Sequence, residues 1–219
     1  SSDLSKKARK MLDEAGLQCC KIVASNSLDE YLIRDLMMQE AKIDTFGVGE
    51  RLITAKSAPV FGGVYKLAAV EDEQGNIIPK IKISENTAKI TNPHYKKLYR
   101  FYDNESGKAL ADELCVYDET IDSTKPHTIF DPDAIWKTKT LTNYTARELH
   151  VTVFKNGELV YKQPSLYEIR IYCAEQLETL WDEVKRFENP HTYYVDLSKK
   201  LWDIKNALLE KSKDGKDLK

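Results

Sequence analysis

No apolar run in this 219-residue sequence approaches the roughly 20 residues that a membrane-crossing helix requires. The opening stretch SSDLSKKARK also lacks the apolar centre of a secretory signal. Neither sign of charge dominates. Thirty-three Lys and Arg face 35 Asp and Glu, a net charge of -2, which removes any electrostatic reason to propose nucleic acid or an anionic membrane as partner. Cysteine is scarce: Cys19 and Cys20 are adjacent, Cys115 and Cys173 stand alone, and no CxxC or zinc-type spacing occurs. Such thiols read as small buried hydrophobes in a reducing compartment. His94, His127, His150 and His191 are scattered without HxxxH or HExxH spacing, so no metal site is expected. Internal repeats and low-complexity linkers are missing too. The expectation is a cytoplasmic protein. With no initiator Met and a helix pattern that begins almost at once, the chain reads as cut from something longer.

What is present is ordinary globular material, 42% hydrophobic and 31% charged. Leu4, Ala8, Met11, Leu12 and Ala15 recur at helical spacing, with Asp3 placed to cap the start and Gly16 the end. KIVAS (21–25) reads as a buried strand, and SLDE (27–30) as a capping box with Ser27 as N-cap. Leu28, Tyr31, Leu32 and Leu36 then trace a helix. A second strand at KIDTF (42–46), the sequence Gly47-Val48-Gly49 and a short helix at 50–55 complete the unit. This order predicts an α/β unit with parallel strands. Its ligand-binding edge lies at the C-terminal ends of the strands, where Ser25-Asn26-Ser27 and the glycine loop should be neighbours.

Beyond residue 60 the pattern turns to strands. GGVYKLAAVE (62–71), PKIKIS (79–84), KLYRFYD (97–103) and LADELCVYD (110–118) are strand-like. Residues 149–161 read as a hairpin around Asn156-Gly157, a pair suited to a two-residue type I′ turn. From Ser165, with Glu168 completing a capping box, an apolar helical stripe runs to Phe187. Asp196 or Ser198 opens a last helix carrying Leu201, Trp202, Ile204 and Leu208, and the polar tail from Lys211 reads as frayed. Three regions are expected: 1–61 with the loops, 62–164 rich in strands, and 165–219 helical.

The two loops carry the chemistry that spacing can suggest. Glycines let backbone N–H groups approach a phosphate, and Arg51 adds a charge-assisted hydrogen bond. A tight β–α turn and a plain helix cap explain the same residues, and spacing alone does not separate the two readings. Lys66, in an apolar segment, is either a buried phosphate ligand or a side chain that snorkels to water. The aromatics of YRFY and TYYV read as packing. Arg147, Glu148 and His150 fit a charged strand edge. No set of nucleophile and base stands out, so no catalytic residue is assigned.

Taken together, the segments LSKKARKMLDEAGL, KIVASNSLDEYLI, IDTFGVGERLITA, GGVYKLAAVE, WKTKTLTN and TLWDEVKRFENPHTYYVDLS resemble the bacterial nicotinate phosphoribosyltransferase family, in that family's order and across nearly all the chain. The resemblance implies part of a type II phosphoribosyltransferase irregular α/β barrel, followed by a β-rich segment and C-terminal helices. It implies the reaction of nicotinate with 5-phosphoribosyl diphosphate, coupled to ATP with Mg, and a homodimer in the full-length family. It places the 5-phosphate of the substrate at Ser25 and Asn26 and at Gly47, Val48 and Gly49, with Arg51 beside them. Ser1-Ser2-Asp3-Leu4 falls where the family has Asp-Ser-Gly-Asp-Leu, which sets Asp3 toward the ribose and diphosphate. Ser2 stands where the family has Gly, and Glu50 puts a carboxylate beside the phosphate loop. The family's phosphorylated histidine and earlier barrel strands have no counterpart here. The chain is therefore expected to be a C-terminal portion with little activity alone; the other reading is a non-catalytic phosphate-binding remnant or assembly partner.

Overall fold

The computed structural model describes residues 2–60 and 62–213. The chain divides into two compact units between Val64 and Tyr65.

The first unit runs α1 (Ser2–Glu14), β1 (Val23–Ser25), α2 (Glu30–Met38), β2 (Thr45–Gly47) and α3 (Glu50–Ile53). The strands are parallel neighbours, with Val23 opposite Thr45 and Ser25 opposite Gly47. Leu28, Leu36 and Ala41 form the buried centre, packed by Ala24, Ile33, Ile43, Phe46 and Val48. The sequence order of elements is thus realised. Among the described residues these two strands make a sheet of their own, and no closed barrel is formed.

Helix ends explain two departures. Gly16 takes φ +74°, its N–H donates to the Asp13 carbonyl at 3.1 Å, and the Leu17 N–H donates to Leu12 at 2.8 Å. That pattern satisfies the last carbonyls of α1, as expected for a glycine in the left-handed conformation. Asp3, by contrast, lies inside the first turn of α1 and pairs with Lys7 at 2.7 Å instead of capping. For α2 the N-cap is Asp29, whose carboxylate accepts from the Leu32 N–H at 2.8 Å, and Ser27 has no capping role. The reason is conformational. Asn26 and Ser27 both have positive φ (90° and 52°), so the chain is still turning there, whereas an N-cap needs the extended backbone that Asp29 adopts.

In the second unit β3 (Ala69–Glu71) and β4 (Ile77–Pro79) form a short hairpin. They are followed by β5 (Lys96–Asp103), β6 (Ala109–Val116), β7 (His127–Asp131), β8 (Ala134–Leu141), β9 (Tyr144–Glu148), β10 (Phe154–Lys155) and β11 (Glu158–Leu159). Last come α4 (Leu166–Glu178), β12 (Val195–Leu197) and α5 (Lys199–Lys213). A four-stranded sheet in the order β12-β6-β5-β9 is its frame, antiparallel except where β12 lies parallel to β6. Phe101, Ala111, Ile129, Leu141 and Tyr144 make one core; Val116, Leu197 and Leu201 make another beneath α5.

The hairpin at 154–159 turns through Asn156 (φ 52°) and Gly157 (φ 82°), both left-handed as a type I′ turn requires. Ser165 and Glu168 complete the expected capping box, and Ser198 caps α5 by accepting from the Leu201 N–H at 3.2 Å. Asp196 lies in β12 and opens no helix. Residues 62–68 and 80–84 form no strand, so Lys66 is exposed and its buried-ligand reading falls. The apolar stripe to Phe187 is also cut short, because α4 ends at Glu178. There Ala109 N–H takes the Thr179 carbonyl at 2.7 Å, and the Lys108 ammonium takes those of Glu178 and Leu180. Tertiary donors thus capture carbonyls that the helix would have continued with. Of the cysteines only Cys115 is buried. Cys19 and Cys20 follow the end of α1, and Cys173 sits on a helix with no buried residue, so all three are exposed. Most of the polar tail, residues 214–219, lies outside the described residues. Among those described, no helix is long and apolar enough to cross a membrane.

Candidate functional site

Because β1 and β2 are parallel and in register, their C-terminal ends bring the two loops side by side. A polar cavity of about 300 Å³ opens there. Ser25, Asn26 and Ser27 line it from the first loop, Gly47 and Gly49 from the second, and Glu50, Arg51 and Lys56 from the segment beyond. The expected neighbours are neighbours. At Gly47 the fit is close: a Cβ would lie 3.0 Å from Ser25 Oγ and 3.3 Å from Ser25 Cβ, and that hydroxyl donates to the Gly47 carbonyl at 3.2 Å. A larger residue there would displace the Ser25 side chain from its place at the cavity. Gly49 faces open space, so nothing crowds a side chain at that position.

Charge in the cavity is incompletely neutralised. The Arg51 guanidinium forms an ion pair with Asp29, the N-cap of α2. Asp29 is held below the usual carboxylate range, first by the Leu32 N–H it accepts from and then by Arg51. Lys56 has no ion-pair partner among the described residues, and Glu50 supplies the one carboxylate of the lining. Hydroxyls, an amide, glycine backbone and two cations are the donor set of an anion site.

Val48 and Asp3 are not among the side chains that line the cavity. The Val48 side chain packs into the core with Leu28, Leu36 and Ala41, as alternation along an extended segment dictates. Asp3 is paired with Lys7 on α1 and does not line the cavity. Lys56 was not anticipated. It reaches the lining because Ala55, with φ 46°, reverses the chain after the four-residue α3, and no residue pattern announces that turn.

In the second unit the charged side chains close on one another. Arg100 and Asp112 are direct cross-strand partners in β5 and β6. Two parallel bonds of 2.8 Å join them, and the Tyr193 hydroxyl donates to the same carboxylate at 2.8 Å. The Asp112 pair drives the Arg100 pKa still higher, while burial and then Asp112 raise that of Tyr193, so neither titrates near neutrality. On the other face of β6, Glu113 is buried and bonded to His127 at 2.8 Å. Burial, followed by Glu113, pushes the Cys115 thiol far up, which leaves it inert. Arg147, Glu148 and His150 part company, contacting Gln176, Lys97 and the Leu98 N–H respectively, as a charged strand edge would. Among the described residues no group of three or more His, Cys, Asp or Glu is arranged to hold a metal ion.

Comparison with known proteins accounts for both units. A family model described as the nicotinate phosphoribosyltransferase C-terminal domain matches residues 95–205. The chain is 44% identical over 202 residues to nicotinate phosphoribosyltransferase of Bacillus subtilis (strain 168), covering 92% of this chain and 41% of that protein. It is 34% identical over 233 residues to that of Dictyostelium discoideum, covering 100% of this chain and 38% of the relative. The crystal structure of human nicotinic acid phosphoribosyltransferase superposes with a TM-score of 0.67 at 23% identity, over 95% of this chain and 39% of that one; this likeness speaks for the fold alone. The chain therefore spans about two fifths of the length of these relatives.

Proposed function

The chain belongs to the nicotinate phosphoribosyltransferase family, and from that premise we propose that its first unit supplies the 5-phosphate subsite of such an enzyme. One observation carries the reading: both loops that spacing marked out converge on a single cavity whose lining is rich in donors. The substrate phosphate takes backbone N–H groups from Ser25, Asn26, Gly47, Val48 and Gly49, the Ser25 hydroxyl, and charge from Arg51 and Lys56. Val48 contributes backbone only, its side chain being spent in the core.

In the reaction the nitrogen of nicotinate displaces diphosphate from C1 of 5-phosphoribosyl diphosphate, forming nicotinate mononucleotide. Positive charge develops on the ribose, so holding the phosphate end fixed is the contribution of these residues. The reaction is ATP-coupled and uses Mg in this reading. The cavity does not fit Mg, since its single carboxylate, Glu50, stands among cations and N–H donors. Asp3 retains its place toward the ribose and diphosphate only if the Lys7 pair opens.

The cavity grips only the phosphate end, and no residue of this chain is assigned to nicotinate or to its attack at C1, so the 219-residue chain alone should turn over little or no substrate. The same observation supports the second reading, a non-catalytic phosphate-binding protein or assembly partner. We place the protein in the cytosol, and read the full-length family as homodimeric. Calorimetric titration of the chain with 5-phosphoribosyl diphosphate and with inorganic phosphate is the test. Binding of both, lost in Gly47→Val, supports the subsite. Retention of binding in that variant, or no binding by the wild type, rejects it. Nicotinate mononucleotide formation restored by a separately expressed remainder of a family enzyme favours the enzymatic reading over the second.

A further inference from the structure

β12 lies parallel to β6 with Asp196 opposite Glu113, so both side chains project from the same face of the sheet. The β7–β8 hairpin packs on that face, where His127 meets Glu113 at 2.8 Å. A cavity of about 200 Å³ opens between them, walled by Phe130 and Asp131 of β7, Lys137 and Lys139 of β8, and Tyr194 and Asp196. It has room for about six water-sized groups.

Asp196 is 5% exposed, and among the described residues its carboxyl has neither a hydrogen-bond nor an ion-pair partner. No fully buried side-chain oxygen there lacks a partner. The sliver of surface that Asp196 keeps therefore includes its oxygens, and it opens on the cavity. The surrounding charges are already engaged. Lys137 sits 3.5 Å from Asp131, Glu113 is held by His127, and Lys139 is exposed and acts on Asp103. Asp131 and Glu113 thus have partners of their own, Lys137 and His127, while no cation is paired with Asp196 among the described residues. Burial, then Glu113 and then Asp131, push the Asp196 pKa up to about 6. A buried, unpaired carboxyl with spare acceptors beside aromatic walls describes a receptor for a cation with an apolar stem.

We propose that this cavity binds an organic cation, an ammonium or guanidinium group on a short aliphatic stem, which pairs with Asp196 while Phe130 and Tyr194 cover the stem. The same chemistry is offered by a free amine and by a lysine or arginine side chain of another polypeptide segment. The site is independent of the phosphate cavity and of the function assigned to it.

The test is a titration of the full ¹⁵N-labelled chain with n-butylammonium chloride, followed by amide chemical shifts, with n-butanol as the uncharged isostere. At pH 7.5 saturable shifts are expected at residues 129–131 and 194–197, with none from n-butanol. At pH 5 the affinity should fall about tenfold, because a carboxyl titrating near 6 is then only about one-tenth ionised. Asp196→Asn should abolish the shifts and Asp131→Asn should weaken them without abolishing them. A lysine tripeptide blocked at both ends separates the sources. Shifts from both the amine and the peptide point to a protein side chain, and shifts from the amine alone to a small molecule. No shifts, equal shifts from n-butanol, or pH-independent affinity would overturn the proposal. The pH arm needs only wild-type protein, so the result stands even if a variant fails to fold.

Discussion

Each unit builds an arginine–aspartate pair, and the two pairs are put to opposite use. Arg100 and Asp112 meet through two parallel bonds, and Tyr193 adds a third donor to the same carboxylate, so the pair is well neutralised and turned inward. Arg51 and Asp29 meet at the rim of an open cavity, with Lys56 nearby and only Glu50 to offset it. The first arrangement fixes the register of two strands. The second leaves donor capacity that a ligand can complete. Binding chemistry is found where neutralisation stops short, and scaffolding where it is finished.

The contrast breaks most visibly in the sheet. Arg100→Ala leaves Asp112 buried with Tyr193 as its remaining partner, and should cost the second unit about 3 kcal/mol in denaturant unfolding while phosphate affinity is unchanged. Gly47→Val is the reverse experiment. Its first side-chain carbon lands 3.0 Å from Ser25 Oγ, so the Ser25 side chain must give way and lose its place at the cavity. We expect about 1–2 kcal/mol of destabilisation, with phosphate binding falling at least tenfold. Gly49→Ala, which meets open space, should leave stability within about 1 kcal/mol.

A third experiment sharpens the comparison by titration. The folded-state pKa of Asp196 is raised to about 6 from an ordinary value of 3.8, so the stability tied to its protonated form is complete below pH 4. It is lost as pH rises through 6. Asp196→Asn should therefore leave stability unchanged at pH 3.5 and raise it by about 1–2 kcal/mol at pH 7.5, the water-accessible cavity screening part of the full value. Chemical melts at the two pH values check this. The smallest effects belong to the cavity cations. Arg51→Ala should weaken phosphate about tenfold and Lys56→Ala about threefold, in calorimetry, with unfolding midpoints nearly unmoved.

Much of this was legible in the residues. Periodicity gave the alternation of helix and strand to residue 55, Asn156-Gly157 gave the hairpin, and the two loops were paired correctly as neighbours on one edge. What escaped was set by distance along the chain. The end of α4 depends on donors from Lys108 and Ala109, some 70 residues earlier. Asp112 meets Tyr193 across 81 residues, and its pairing with Arg100 follows from register, which a single strand does not encode. Ser27 looked like a cap because its residue type fits; two successive positive φ values moved that role to Asp29. Lys56 joined the cavity through a reversal at Ala55, a residue type that rarely signals one. Local chemistry was readable, while the closure of networks was not.

The central claim is that the loops at 25–27 and 47–49 hold a phosphate. Amide chemical-shift mapping of the ¹⁵N-labelled chain during titration with inorganic phosphate and 5-phosphoribosyl diphosphate tests it most directly. The largest saturable shifts should fall on the Ser25, Asn26, Ser27, Gly47, Val48, Gly49 and Glu50 amides, with those of β5 and β6 still. Shifts confined to the second unit, or spread evenly over exposed lysines, would contradict it.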